Sequence, residues 1–154
     1  MTALAYREFV RPEDRGWREY LDRIAAVSER ASRTLVLVAV EDDRILGSAT
    51  LELSGRTEPD DEEAPAPDEA HIRMLGVHPD ARRRGIARAL MDACVDEARR
   101  AGKTRVTLNT TERMRAAQEM YASMGFERRP DRVFPDGFVL LGYEKVIDSG
   151  KNSV

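Results

Sequence analysis

Thiolate and imidazole groups are scarce: Cys94, His71 and His78 are the only ones in 154 residues. Three such groups without zinc-type spacing give no reason to expect a metal site. A lone cysteine excludes an internal disulfide and fits a reducing, cytoplasmic compartment. An excess of positive charge is also missing, since 25 Lys and Arg face 28 Asp and Glu and the pI is about 5.5. A general nucleic-acid binder is normally basic, so no nucleic-acid partner is expected. Only three of those 25 cations are lysine, which reads as genome composition bias. No apolar run approaches the roughly 20 residues needed to span a bilayer. The first nine residues already carry Arg7 and Glu8, unlike a secretory signal. No Gly-x-Gly-x-x-Gly dinucleotide fingerprint and no Gly-x-Ser-x-Gly nucleophile elbow occurs. Gly102-Lys103-Thr104 resembles the end of a phosphate-binding loop, but Glu97 holds its first glycine position and the triplet follows a helix.

The remaining composition is that of one folded domain over residues 1–154. Hydrophobic residues make up 42% and charged residues 34%, enough for a core beneath a well-solvated surface. Trp17, Tyr20, Leu21, Ile24 and Val27 recur every three to four positions, predicting an amphipathic helix over Trp17–Ala31. Thr34–Val40 is almost wholly apolar and reads as an interior strand covered on both faces. After the turn Glu41–Arg44, the alternation from Ile45 to Leu53 makes the two segments an antiparallel hairpin. Ser54–Glu69 is a loop, acid- and proline-rich from Glu58 onward, read as a solvated connector. Ala70–Val77 predicts a strand, Gly85–Ala101 a helix stopped at Gly102, and Arg105–Asn109 another strand. Glu112–Met124 predicts a second such helix ended by Gly125, followed by strands Phe126–Arg129 and Phe138–Ile147. The expectation is an α+β domain: a mixed, mostly antiparallel central sheet with flanking helices, a core over 34–147 and a tail from 148 to 154.

The most informative stretch is Val77-His-Pro-Asp-Ala-Arg82-Arg-Arg-Gly85-Ile-Ala87, where a strand passes through a polar turn into a helix. A helix start presents unpaired N–H groups and the positive end of the macrodipole, and so attracts anions. Gly85 and Ala87 are small enough for a phosphate to approach the backbone. Arg82, Arg83 and Arg84 can add bidentate contacts, although an arginine run before a helix also serves simply as a solvated surface.

These residues carry a family resemblance. Leu75-Gly-Val77-His-Pro79 followed by Arg82-x-x-Gly85-x-Ala87 resembles the coenzyme-binding motif of the GNAT superfamily of acyl-CoA-dependent N-acyltransferases. Ala117-Gln-Glu-Met-Tyr121-Ala-Ser-Met-Gly125-Phe126 is similar to that family's Ala-x-x-x-Tyr-x-x-x-Gly-Phe helix. The likeness covers roughly Thr34 to Ile147.

The resemblance implies that acetyl-CoA is a co-substrate and that a primary amine accepts its acetyl group directly. Backbone N–H groups from Arg83 through Gly85 and Ile86 to Ala87 would hold the pyrophosphate, with Arg82 and Arg88 beside them. Val77 would pair with the pantetheine arm, and the Leu75 N–H would bind the thioester oxygen. Tyr121 would protonate the leaving thiolate, a step its phenol suits as an acid near pKa 10 facing a thiol near 8.5. Where the family often has a glutamate, four residues before the motif leucine, this chain has His71. An imidazole near pKa 6.5 makes it the expected general base, with Glu69 and Glu52 as alternatives.

Two departures stand out. Met114 replaces a common asparagine, and too few residues precede Tyr6 for the family's first strand. Either the chain begins late relative to the family or its sheet is shortened, and on both readings Thr34–Val40 is expected to lack an outer neighbour. Met1–Val10 or, by preference, the second subunit of a homodimer would cover that edge. The rival reading of the whole chain is a non-catalytic acyl-CoA-binding domain.

Overall fold

Residues 34–53 and 65–148 are described in the computed structural model. They form strands β1 (Leu35–Glu41), β2 (Arg44–Glu52) and β3 (Glu69–Val77), then a 3₁₀ turn at Pro79–Ala81 and helix α1 (Ile86–Arg100). Strand β4 (Arg105–Thr110), helix α2 (Arg115–Ser123), β5 (Glu127–Val133) and β6 (Val139–Val146) complete the order. The predicted helix Trp17–Ala31, the Met1–Val10 segment and most of the acidic loop lie outside the described residues.

One six-stranded sheet runs β1-β2-β3-β4-β6-β5, antiparallel throughout except where β3 and β4 lie parallel. The mixed, mostly antiparallel sheet expected from the sequence is what forms. Asp42 and Asp43, both at positive φ, make the two-residue hairpin turn between β1 and β2.

Helix α1 exists because its apolar residues repeat at the helical period. Leu90, Met91, Cys94, Val95 and Ala98 form one buried stripe. The stripe packs on alternate residues of the strands, among them Ala49, Leu51, Ala70, Ile72, Val106 and Leu108. Each fully buried leucine contributes about 1.5–3 kcal/mol. The helix ends in a glycine cap: the Gly102 N–H donates to Arg99 O and the Lys103 N–H to Ala98 O.

Several boundaries differ from expectation. Strand β1 is not covered on both faces, for Val38 and Val40 are 47% and 58% exposed while Leu35, Leu37 and Ala39 pack on the core. Its β-branched apolar residues were legible as a strand, but not their alternation between two environments. Strand β1 is the terminal strand among the described residues. Strand β5 runs on to Val133, through a bulge between Arg129 and Arg132 that accommodates Pro130. Helix α2 is shorter than predicted, since its regular turns begin at Arg115.

Candidate active site

The centre of the sheet is split. Strands β3 and β4 pair from Glu69↔Arg105 to Ile72↔Leu108 and no further, although β3 continues along β2 to Val77. Within β3, Met74 takes a φ of +55°, and the register against β2 shifts between Ser48 and Thr50. One extra residue thus stands on β3 at Met74–Leu75, a β-bulge that re-aims the strand. Beyond Ile72 the backbone of Leu75 and Val77 borders an opening wedge. Leu75 and Val77, two of the expected site residues, therefore sit side by side at its lip.

The chain leaves that lip into the polar turn. The His78 N–H still donates to Leu46 O of β2, and the His78 ring accepts from the Asp80 N–H at 3.1 Å, fixing the 3₁₀ turn. Arg83 (φ +64°) and Gly85 (φ +78°) both adopt left-handed conformations, and Gly85 caps α1 without a side-chain hydrogen bond. Such a backbone with a helix start behind it forms an anion-accepting concavity. A Cβ at Gly85 would meet no atom within 4 Å, so the space over the cap is open.

The arginines divide their work. Arg84 pairs with Glu41 at the end of β1, while Arg88 donates to Ser123 Oγ at 2.6 Å and ties α1 to α2. Arg82 is half-buried and Arg83 exposed beside the cap. Gly47 sets the approach of the helix to the sheet, because a Cβ there would stand 3.0 Å from Leu90 Cδ1 and 3.1 Å from Ile86 Cγ2.

On the sheet face away from α1 lies a belt of polar side chains, buried except for the half-buried Arg73. Glu69, His71 and Arg73 alternate along β3, with Glu52 on β2 and Thr107 on β4 as neighbours. Arg73 Nε meets Glu52 at 2.9 Å. Thr107 donates to Glu69, and His71 Nδ1 lies 2.7 Å from Thr107 Oγ1. Arg105 and Arg129 approach Glu69 at 3.5 and 3.7 Å. Burial, reinforced by Arg73 and Arg129, pushes the His71 ring down to about 3. The unperturbed imidazole anticipated from sequence is thus replaced by one that stays neutral.

Tyr121 is buried on α2, with its ring 5.6 Å from Tyr143 and 6.1 Å from Phe126. Aromatic packing holds the phenol while Arg88–Ser123 ties its helix to α1. Met114 is buried at the start of α2, where its sulfur accepts from Thr110 Oγ. Cys94 lies in the α1 stripe with its thiol pushed up to about 12, chiefly by burial. A separate open depression of about 620 Å³ between α2 and β5, lined by Arg115, Glu119, Arg128 and Asp131 among others, contains none of the expected site residues.

Thr107 is the member of this polar group that sequence reasoning missed. Its signal was parity: Arg105, Thr107 and Asn109 interrupt the apolar Val106 and Leu108, as Glu69, His71 and Arg73 interrupt Ala70 and Ile72.

A mixed sheet split between parallel neighbours, with a glycine-capped helix start at the mouth of the split, defines the class of domain. Residues 1–126 match the acetyltransferase (GNAT) family, and the chain belongs to it. Solved structures share the fold. A ribosomal-protein-S18-alanine N-acetyltransferase from Escherichia coli superposes with TM-score 0.63 at 23% identity, over 84% of this chain and 80% of that one. A Bacillus subtilis acetyltransferase in complex with CoA gives 0.64 at 16% identity, over 80% and 83%. A GNAT family acetyltransferase from Elizabethkingia anophelis with acetyl-CoA bound gives 0.61 at 14% identity, over 80% and 82%. No curated protein matches the chain significantly.

Proposed function

We propose that this chain is an N-acetyltransferase that moves the acetyl group of acetyl-CoA directly onto a primary amine. The observation that carries the reading is the glycine-capped start of α1 at the mouth of the β3–β4 split, in a member of the GNAT family. The backbone from Arg83 to Ala87 holds the coenzyme pyrophosphate, with Arg82 and Arg88 beside it. Val77 pairs with the extended pantetheine arm as a strand would. The thioester carbonyl reaches the bulge, where the Leu75 N–H stabilises the oxyanion as the amine attacks.

In this step the C–N bond forms and the C–S bond breaks, and two protons move. The amine gives one to His71 and the departing thiolate takes one from Tyr121. The buried His71 ring is neutral and so has a lone pair for the first transfer, while burial, Arg73 and Arg129 weaken it as a base and oppose the imidazolium it must form. Glu52 and Glu69, the two alternative bases on that face, are both engaged with arginines. Two copies pairing along β1, the terminal strand among the described residues, complete the assembly. Light scattering at micromolar concentration tests the dimer, and a strict monomer refutes it.

Acetyl-CoA turnover against a panel of small amines, amino acids, peptides and lysine side chains tests the activity through release of the free thiol. Release dependent on one acceptor class supports it. Tight acetyl-CoA binding without turnover of any amine makes the domain an acyl-CoA-binding module instead.

A further inference from the structure

Glu69, Thr107 and His71 form a hydrogen-bonded chain across β3 and β4, and its proton count is constrained. Glu69 accepts from the Ala66 N–H at 3.1 Å and faces Arg105 and Arg129, so its oxygens meet donors on every side and act here as acceptors. The Thr107 hydroxyl has one proton and gives it to Glu69. What it turns toward His71 Nδ1, 2.7 Å away, is a lone pair. The hydrogen in that contact must therefore sit on Nδ1, which leaves Nε2 bare.

We propose that Thr107 and Glu69 are positioning residues for acetyl transfer, holding His71 as the Nδ1–H tautomer so that Nε2 is the atom that accepts the amine proton. The proposal rests on His71 being the general base. When Nε2 gains its proton, the imidazolium keeps Nδ1–H against Thr107 and the carboxylate of Glu69 stabilises the new charge through the hydroxyl. No proton leaves the chain of three. The charges around the ring are Arg73 on β3, Glu52 opposite it on β2, Arg105 on β4, Arg129 on β5 and Glu144 on β6. Arg73 is matched by Glu52, and Arg105 by Asp68, Glu69 and Glu144. Glu69 is the anion joined to the ring through hydrogen bonds.

The test compares the full-length wild type with Thr107→Ser, Thr107→Val and His71→Ala. It uses ¹⁵N spectra of the ring, assigned by the loss of signal in His71→Ala, and kcat and KM across pH with the best amine of the panel. The wild type and Thr107→Ser are expected to show a protonated Nδ1 and a bare Nε2. Thr107→Val, nearly the same volume at a position with 0% exposure, loses that pattern. It also loses about 10-fold or more in kcat, a share of the roughly 10²–10⁴ that a placed base supplies, with KM for acetyl-CoA unchanged. Rescue by serine separates this role from packing. A hydrogen on Nε2 in the wild type overturns the proposal, and decides the matter even if Thr107→Val does not fold. Wild-type kcat in Thr107→Val beside a crippled His71→Ala overturns the positioning role alone. Full turnover in His71→Ala overturns the base reading and the positioning role with it.

Discussion

Acidification from pH 7 to pH 4 will destabilise this protein by about 3 kcal/mol more than it destabilises a His71→Gln variant. In the fold, the ring is pushed down to about 3 because it is buried and faces Arg73 and Arg129. In the unfolded chain it titrates near 6.5. Between those values the unfolded state binds one proton that the folded state refuses. Stability from the neutral ring is therefore complete above pH 6.5 and falls as pH drops toward 3. The slope approaches about 1.4 kcal/mol per pH unit, and integration from pH 7 to 4 gives about 3 kcal/mol. In a chain of this length that corresponds to a difference of about 6–12 °C in Tm. Glutamine keeps an amide N–H for Thr107 while removing the titration. Any constant offset between the two proteins cancels, and His78 and the carboxylates are common to both. Urea denaturation followed by circular dichroism at half-unit pH steps measures the two curves. Parallel curves between pH 7 and 4 refute the buried, neutral histidine.

Gly85→Val places a β-branched residue at φ +78° and fills the open space over the cap, so acetyl-CoA affinity falls at least about 10-fold by calorimetry. Ala87→Glu, which adds like charge to the same anion site, acts in the same direction, and unchanged affinity in a folded variant removes the site from α1. Tyr121→Phe keeps the ring contacts with Tyr143 and Phe126 but loses the proton donor. Its kcat falls about 10²-fold while acetyl-CoA affinity holds, and wild-type turnover assigns the acid elsewhere. Cys94, with its thiol near 12, stays unlabelled by a disulfide reagent at pH 8 until the protein unfolds, and rapid native labelling contradicts its burial. Gly47→Val drives a side chain into Leu90 and Ile86, so α1 moves off β2 and both Tm and acetyl-CoA affinity drop together. A loss of Tm alone would mean that the helix start keeps its place.

Much of the fold was legible because local chemistry and tertiary role coincide. The α1 stripe, the Gly102 cap and the Asp42-Asp43 turn follow from period, backbone freedom and turn preference, and tertiary packing left them unchanged. The start of α1 was legible to within a residue, expected at Gly85 and found at Ile86, but the left-handed cap conformation of Gly85 was not. The wedge was not. Its bulge stands at Met74, a residue with no intrinsic preference for positive φ, and the parting of β3 from β4 is a relation between segments more than 30 positions apart. The electrostatic state of His71 was hidden for a related reason. Its pKa depends on Arg129 from a distant strand and on burial that a single histidine in an apolar strand does not disclose. What the sequence could have yielded was the grouping. Residues of equal parity on adjacent parallel strands share a face, so the register Glu69↔Arg105 places Thr107 beside His71 once the two strands are known to pair. That one piece of topology turns scattered polar residues into a connected site.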